Sequence, residues 1–183
     1  MRARFDPNEA VFSDVTTSFE MSKSFSGGRH FGSRLVGARD GTLFFSIRDH
    51  SDREQAQNTK SHNGTVIRIT KPGAVQNDKP FIGKPDQLPE IWSYGHCNPQ
   101  DMTLDLKGNL WVSEDGARGG DEVNKITKGA NYGWPKIAYG RHYRGRKIGM
   151  GTENHGTEQP QYFWDLSIAS SGYLIYSGKQ NRQ

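Results

Sequence analysis

Short apolar runs separated by glycine dominate the chain, and only the polar stretch Asp52 to Lys60 carries a weak helical pattern. The apolar runs are rich in β-branched and aromatic residues, which favour extended strands. Each run begins at or near a turn residue. The pattern therefore predicts an all-β fold, with strands at 41–46, 64–70, 108–113 and 122–127.

The four predicted strands form an internal repeat. The pattern Gly-x-Leu-aromatic-x-Ser, followed by Val-x-basic-Ile-Thr-Lys, occurs at 41–71 and again at 108–128. The linker between the two half-motifs differs in length, which a loop between strands absorbs. A repeated multi-strand unit in an all-β chain favours the blades of a β-propeller over a two-sheet sandwich with coincidental similarity.

The length of the chain limits how much of a propeller it contains. Propeller units take about 40 to 50 residues, and closure of the ring needs about four to eight of them. The spacing of the repeat gives the 183 residues room for about three units. We therefore expect residues 1–183 to form one partial propeller domain, with blades missing at both ends.

Composition and charge narrow the function classes only slightly. Hydrophobic residues make up 32% of the chain and 22 residues are glycine, so a small core is expected. The formal charge of +4 permits an acidic partner, but the charges are dispersed rather than gathered into blocks. The single cysteine, Cys97, excludes an internal disulfide and a metal cluster built on cysteine pairs. Residues 1–15 lack the apolar stretch of a signal peptide, and we expect no membrane span.

Four short segments combine glycine, aromatic and polar residues in one order: HFGSRLV at 30–36, YGHCNPQ at 94–100, GARGGDEVN at 116–124 and GANYGWP at 129–135. Together they resemble the soluble aldose sugar dehydrogenases of the glucose/sorbosone dehydrogenase family, which depend on pyrroloquinoline quinone (PQQ). The resemblance runs from about His30 to Ser177. It implies a six-bladed β-propeller, here incomplete, with PQQ at the loop face. It also implies oxidation of aldose sugars at C1 by hydride transfer to the quinone.

Oxidation of a sugar hydroxyl by hydride loss needs a base for the hydroxyl proton, and imidazole titrates in the useful range. By resemblance, His30 occupies the catalytic histidine position of the family. Arg34 follows it in the family's spacing, which implies a role in cofactor binding. Taken alone, His30 would read as an ordinary turn histidine after Gly27 and Gly28.

PQQ is an anionic quinone, so its pocket needs cations, amide donors and a metal that polarises the reacting carbonyl. Calcium prefers hard oxygen ligands, including backbone carbonyls. By resemblance, Gly116 and Ala117 supply the carbonyls that hold the PQQ-bound calcium. Glu122 and Tyr132 match a second, structural calcium position, Tyr132 through its backbone carbonyl. Without the resemblance, Glu122 would read as an exposed strand residue and Tyr132 as an aromatic packed in a turn.

The chain also departs from the family pattern. Cys97 stands where the family has an arginine at the PQQ site, and it is followed by an asparagine that is retained here as Asn98. A thiol offers no fixed positive charge, so its presence is expected to weaken cofactor binding by a few kcal/mol. Arg48 and Asp101 stand where glycine is usual, and Ala117 replaces a proline.

These departures leave three functions to compare. The first is a PQQ- and calcium-dependent dehydrogenase that takes an aldose and an artificial or natural electron acceptor. The second is an inactive, truncated remnant that retains at most calcium binding. The third is nucleic-acid binding through the basic run Arg141 to Lys147, which is disfavoured because one short basic run is usually a solvated face. Family members usually work in the periplasm, and the missing signal peptide indicates a cytoplasmic product or a truncated parent. The oligomeric state stays open.

Overall fold

The computed structural model describes residues 1–21, 33–176 and 178. This part of the chain contains ten β-strands and one short 3-10 helix, which confirms the predicted all-β fold. The helix lies within the polar stretch that carries the weak helical pattern. The elements are β1 (Arg2–Asp6), β2 (Val11–Thr16), β3 (Leu35–Gly37), β4 (Thr42–Ile47), the 3-10 helix (Arg53–Gln57), β5 (Thr65–Thr70), β6 (Ile91–Tyr94), β7 (Pro99–Leu104), β8 (Leu110–Glu114), β9 (Asp121–Lys125) and β10 (Tyr162–Trp164).

Eight of these strands form two antiparallel sheets of four strands each. The first sheet has the order β3-β4-β5-β6, and the second sheet has the order β10-β9-β8-β7. Every strand therefore pairs with its neighbour in sequence, which is the meander of a propeller blade. Strands β1 and β2 form a separate hairpin whose side chains are all exposed. Among the described residues no helix is long and apolar enough to cross a bilayer.

The internal repeat places equivalent strands in the middle of each sheet. The first copy forms β4 and β5, and the second copy forms β8 and β9. The register is also equivalent, because Ile47 lies opposite Thr65 in the first sheet and Glu114 lies opposite Glu122 in the second. The four strands predicted from the apolar runs are thus confirmed, and the repeat corresponds to two consecutive blades.

The sequence pattern misses the outer strands of both sheets. Strands β3 and β10 contain only three residues each, and β7 has the largely polar sequence PQDMTL. The described residues form two four-stranded sheets and a hairpin instead of about three repeated units. Long connections at 48–64 and 71–90 explain the difference, because they lengthen the first unit beyond the usual blade.

Alternation along β4 and β5 gives the first sheet two apolar faces. Phe44 and Val66 face a cluster that includes Met102 and Val112 of the second sheet, and this cluster forms the core between the sheets. Residues at the alternate positions of these strands, such as Ile67, point the other way and contribute to a second cluster on the opposite face of the first sheet. Burial of each such side chain contributes about 1.5–3 kcal/mol to folding.

Two loops are joined at one end of the sheets by backbone hydrogen bonds. The amide of Tyr132 donates to the carbonyl of Tyr94 over 2.9 Å, and the amide of Trp134 donates to the carbonyl of Gly95 over 2.9 Å. Gly95 has a φ of +80°, and an added Cβ would lie 2.3 Å from Oδ1 of Asn131. A glycine at this turn therefore lets the segments YGHCNPQ and GANYGWP lie side by side.

Candidate functional site

The loops at this end enclose a cavity of about 20 Å³, which is room for one water-sized occupant. We call it the small cavity. Three stretches of chain form its wall: the turn after β6, the loop between β8 and β9 with the strand ends beside it, and the segment 132–140. The lining residues are Gly95, Cys97, Glu114, Asp115, Gly116, Ala117, Gly120, Glu122, Tyr132, Trp134, Ile137, Ala138 and Gly140.

Two carboxylates face each other across strands β8 and β9 in the wall of the small cavity. Burial raises the pKa of Glu122 to about 8, and the negative charge of Glu114 adds to this shift. Asn124 partly offsets it, because its amide donates to Oε2 of Glu122 over 3.2 Å and to Oε1 of Glu114 over 3.1 Å. The cavity therefore carries acidic oxygens, and the described residues that line it include no lysine or arginine.

Glu114 belongs to a buried polar network. Its Oε1 lies 2.5 Å from Nδ1 of His96, and its Oε2 accepts a hydrogen bond from the amide of Cys97 over 3.0 Å. The other ring nitrogen of His96 lies 2.9 Å from the hydroxyl of Ser93. The His96 ring also stacks on Tyr132, with centroids 4.6 Å apart. These contacts fix the position of the Glu114 carboxylate.

Backbone carbonyls crowd the glycine loop between β8 and β9. A Cβ added to Gly116 would lie 2.3 Å from the carbonyl oxygen of Gly119 and 2.4 Å from that of Gly120. Such distances exclude any side chain at position 116 unless the backbone shifts. The loop thus brings main-chain oxygens together in a way that only glycine permits.

Asp121 holds this loop in place. Its carboxylate is completely buried and accepts a hydrogen bond from the amide of Gly116 over 2.9 Å. The same carboxylate accepts from the hydroxyl of Ser167 and from the amides of Ile168 and Ala169, at 2.8–2.9 Å. Asp121 therefore joins the glycine loop to the segment after β10.

A larger cavity of about 420 Å³ adjoins the small one. Its volume lies in the range of pockets that hold a cofactor-sized molecule. The two cavities share a wall, since five residues line both. The shared residues are Cys97, Asp115, Gly116, Ala117 and Trp134. The larger cavity is also lined by Asp49, Ser51, Arg53, Asn98, Tyr143, Ser167 and Ala169.

Cys97 presents an uncharged thiol at the shared wall. Burial raises the pKa of Cys97 well above its ordinary value, and the negative charges of Asp49 and Glu114 raise it further. The thiolate form is therefore suppressed at neutral pH. The thiol gives the cavity neither a positive charge nor a reactive anion.

A cation nevertheless lies close to this wall. The guanidinium of Arg48 donates to the side-chain oxygen of Gln100, and also to the carbonyl of Pro99 over 3.2 Å. The amide of Gln100 in turn donates to Oδ2 of Asp115 over 2.5 Å, and Asn98 donates to the same oxygen over 3.5 Å. Arg48 is thus connected through one amide to a carboxylate that lines both cavities.

Most residues selected from the sequence meet at these two cavities. Cys97, Gly116 and Ala117 line both, Asn98 lines the larger one, and Glu122 and Tyr132 line the small one. Glu122 lines the small cavity and is half-buried, whereas the plain strand interpretation made it an exposed residue. The Tyr132 side chain does pack in the turn, because its hydroxyl donates to the carbonyl of Lys125 over 2.7 Å.

One of the selected residues, Arg34, lies apart from the cavities, and another belongs to the part of the chain that the structure does not describe. Arg34 lines neither of them, and its Nε pairs with Oδ1 of Asp101 over 2.7 Å. The other oxygen of Asp101 accepts a hydrogen bond from the amide of Tyr173 over 2.7 Å. The proposed base, His30, lies outside the described residues. The cofactor role of Arg34 and the catalytic role of His30 both stay predictions.

Sequence reasoning did not select three residues of the site: Glu114, Asp121 and Trp134. Glu114 ends a buried strand where the first copy of the repeat has an isoleucine, and this contrast is the signal that would have identified it.

Across residues 1–21 and 33–176, no group of three or more histidine, cysteine or acidic side chains is placed to hold a metal ion. A metal here would depend on two carboxylates and on backbone carbonyls.

The two consecutive four-stranded meanders, with cavities among the loops at one end, identify the protein as an all-β propeller. Comparison with known proteins identifies its family, because the sequence profile described as Glucose / Sorbosone dehydrogenase matches residues 1–183. The chain belongs to the glucose/sorbosone dehydrogenase family. This confirms the resemblance seen in its four motifs.

Individual relatives support the assignment. Aldose sugar dehydrogenase YliI of Escherichia coli (strain K12) is 42% identical over 177 residues, which cover 95% of this chain and 48% of that protein. A crystal structure of a glucose dehydrogenase superposes with a TM-score of 0.93 and 39% identity, covering 97% of this chain and 52% of that one. The PQQ-bound form of an aldose sugar dehydrogenase from Streptomyces coelicolor has a TM-score of 0.69 and 29% identity, covering 87% and 43% of the two chains. The chain spans about half the length of the curated relatives it matches.

Proposed function

We propose that the chain forms the calcium-holding part of a PQQ-dependent dehydrogenase that oxidises aldose sugars at C1. The observation that carries the proposal is the meeting of the motif loops around two cavities that share a wall. One cavity has the size of an ion, and the other has the size of a cofactor. Membership of a family named for glucose and sorbosone dehydrogenases supports the same assignment.

The residues of the small cavity fit calcium. The cavity has room for one ion, and its donors are the carboxylates of Glu114 and Glu122 together with backbone oxygens. All of these are hard oxygen ligands of the kind that calcium prefers. The raised pKa of Glu122, about 8, reflects unfavourable burial of negative charge, and a divalent cation would relieve it. Glu122 and the carbonyl of Tyr132 would hold this structural ion.

The shared wall fits a second calcium that is bound together with the cofactor. The carbonyls of Gly116 and Ala117 would hold that ion at the edge of the larger cavity. Asn98, which lines only the larger cavity, would donate to the cofactor from a position next to Cys97 of the shared wall. When bound, PQQ would supply the quinone that accepts a hydride.

The proposed reaction also needs the sugar and one base that takes its hydroxyl proton. Oxidation at C1 removes a proton from the C1 hydroxyl and a hydride from C1, and a carbonyl forms between C1 and its oxygen. His30 would take the proton. The half-buried, uncharged Cys97 would leave an anionic cofactor with one charge-assisted contact fewer than an arginine provides.

A calcium-binding chain without dehydrogenase activity is a second candidate function. The observation in its favour is the uncharged thiol of Cys97 at the wall that the cofactor would occupy, because this side chain offers an anionic cofactor no positive charge. It differs from the first proposal only in the cofactor step, so the two can be separated by experiment.

Calcium binding is tested by calorimetric titration of Ca²⁺ into protein stripped with a chelator. Wild type and the exposed-carboxylate control Glu54→Gln should bind with equal affinity, whereas Glu122→Gln should bind about tenfold more weakly or worse. Failure of wild type to bind, or unchanged binding by Glu122→Gln, would contradict the calcium assignment.

The dehydrogenase is tested by adding PQQ and calcium and then following aldose-dependent dye reduction. Wild type should be active, His30→Ala should be inactive, and Cys97→Arg should bind PQQ more tightly. Activity that appears only in Cys97→Arg would indicate a damaged enzyme. Inactivity of wild type and Cys97→Arg alike, with calcium binding intact, would favour the second candidate.

A further inference from the structure

A basic loop borders the larger cavity. It consists of residues 141–147, with the sequence Arg-His-Tyr-Arg-Gly-Arg-Lys, and we call it the cationic loop. All of its residues are exposed except His142, which is half-buried. Within the described part of the chain, none of its arginines or its lysine forms an ion pair with a carboxylate. Four positive charges are therefore available to an anion from solution.

Backbone contacts hold the cationic loop in one shape. Arg141 and Arg118 exchange backbone hydrogen bonds of 2.9 and 3.1 Å, and the amide of His142 donates to the carbonyl of Arg146 over 2.8 Å. The next residue along the chain, Ile148, is only 2% exposed and packs with Trp134. An anion would thus meet a surface that is already formed, which lowers the entropic cost of binding.

The loop surrounds a concavity of about 500 Å³ lined by His142, Tyr143, Arg144, Arg146 and Lys147. The volume suits a sugar unit or a short oligosaccharide. Tyr143 also lines the larger cavity, and 82% of its surface is exposed. One aromatic side chain therefore forms the boundary between the cavity and the cationic concavity.

We infer that the cationic loop is a subsite for sugars that carry an anionic group. A sugar ring would pack against Tyr143, and its carboxylate or phosphate would contact the cations around it. The inference rests on the proposed function in one respect, namely that the other end of the same sugar would reach the larger cavity. The preferred substrates would then be uronic acids or sugar phosphates rather than neutral aldoses.

The acidic residues nearby favour a short ligand over a nucleic acid. The charged residues that line the adjoining cavity are Asp49, Asp115 and Arg53, so a long polyanion that continued past Tyr143 without a calcium ion would meet net negative charge. A sugar with its anionic group at one end avoids this repulsion. A single aromatic side chain also gives little stacking surface for successive bases.

The test is a titration of the 183-residue protein with three probes at low ionic strength, followed by calorimetry. The probes are digalacturonate, glucose 6-phosphate and the neutral disaccharide cellobiose. At least one anionic probe should bind about tenfold more tightly than cellobiose, and the advantage should fall as salt is added. The two anionic probes distinguish carboxylate from phosphate as the preferred group.

Paired variants assign the effect to the loop. Arg146→Gln/Lys147→Gln should remove the advantage of the anionic probe, whereas Lys107→Gln/Lys125→Gln removes the same charge from exposed positions elsewhere and should retain it. Circular dichroism and thermal melting check that both variants fold. Equal affinity for cellobiose and both anionic probes would overturn the inference, as would an equal loss in the control variant or tighter binding of single-stranded oligothymidylate.

The test of the anionic-sugar subsite can fail while the test of the dehydrogenase succeeds, and the reverse. Oxidation of neutral and anionic sugars with equal efficiency, together with equal binding, would overturn the subsite and leave the dehydrogenase intact. Loop-dependent binding of an anionic sugar without any dye reduction would support the subsite while contradicting the dehydrogenase.

Discussion

The two copies of the repeat put opposite chemistry at equivalent positions. In the first sheet Ile47 lies opposite Thr65, and in the second sheet Glu114 lies opposite Glu122. Neighbouring carboxylates in adjacent strands repel each other, so the second copy is less favourable for folding than the first. One blade therefore serves mainly as a core, while the next accepts a local loss of stability where a cation is proposed to bind.

The neighbouring position extends the same contrast. Ile67 in the first copy corresponds to Asn124 in the second, and both residues are completely buried. Ile67 packs with other apolar side chains, whereas Asn124 donates to both carboxylates of its sheet. The two copies therefore share one backbone arrangement. A few side chains decide whether the region between their two central strands is apolar or acidic.

The largest expected effect comes from damage to the apolar copy. Ile67→Ala should lower the free energy of unfolding by about 2–5 kcal/mol, because it removes a fully buried side chain and leaves a void. Urea denaturation followed by fluorescence measures the change. Leu106→Ala changes an exposed side chain in a loop and should have little effect. A loss below about 0.5 kcal/mol for Ile67→Ala would mean that the first sheet is not the better packed of the two.

An intermediate effect is expected from removing one charge of the acidic copy. Because the folded pKa of Glu122, about 8, lies above the ordinary value of 4.5, the folded state binds this proton more tightly than the unfolded state. The stability that the folded state gains from holding the Glu122 proton is therefore fully present below about pH 4.5 and is lost as the pH rises through about 8. In calcium-free buffer at pH 9, Glu122→Gln should be more stable than wild type by about 1–3 kcal/mol.

Thermal melting across pH 5 to 9, measured with and without calcium, checks this prediction. Wild type should lose stability along this range in chelator, and Glu122→Gln should lose less. Saturating calcium should shift the order towards wild type, because wild type gains more stability from the bound cation than Glu122→Gln does. Identical pH profiles for the two proteins in chelator would show that the Glu122 carboxylate is not held in unfavourable surroundings.

The smallest effect is expected from a charge pair on the surface. Lys60 and Asp86 form an exposed ion pair of 2.8 Å in the loops of the first unit. Lys60→Ala should change the free energy of unfolding by less than about 1 kcal/mol, and the difference should vanish in high salt. A larger change at this pair than at Glu122 would contradict the view that burial makes the acidic pair important.

Local sequence signals predicted the central strands well and the outer strands poorly. The segment TVIRIT of β5 has the β-branched composition that makes a strand recognisable, whereas β7 contains proline, glutamine and aspartate and depends on its neighbour for order. The exposed hairpin of β1 and β2 lacks a buried face and therefore any alternating pattern.

The candidate site was predictable where a motif carried its residues. Gly116, Ala117, Glu122 and Tyr132 were selected from short segments, and all four line the small cavity. Contacts between distant segments were not visible in the sequence. The pairing of Arg34 with Asp101 is one such contact, since it depends on how strand β7 lies beside the start of the first sheet.

The carboxylate of Asp121 links the protease sensitivity of one segment to the folding of another. Because it accepts hydrogen bonds from both the glycine loop and residues 167–169, any rearrangement of that loop must release the later segment as well. Susceptibility of the peptide bonds around Ile168 to a protease would then report, from a distance, whether the turn around Gly116 is intact.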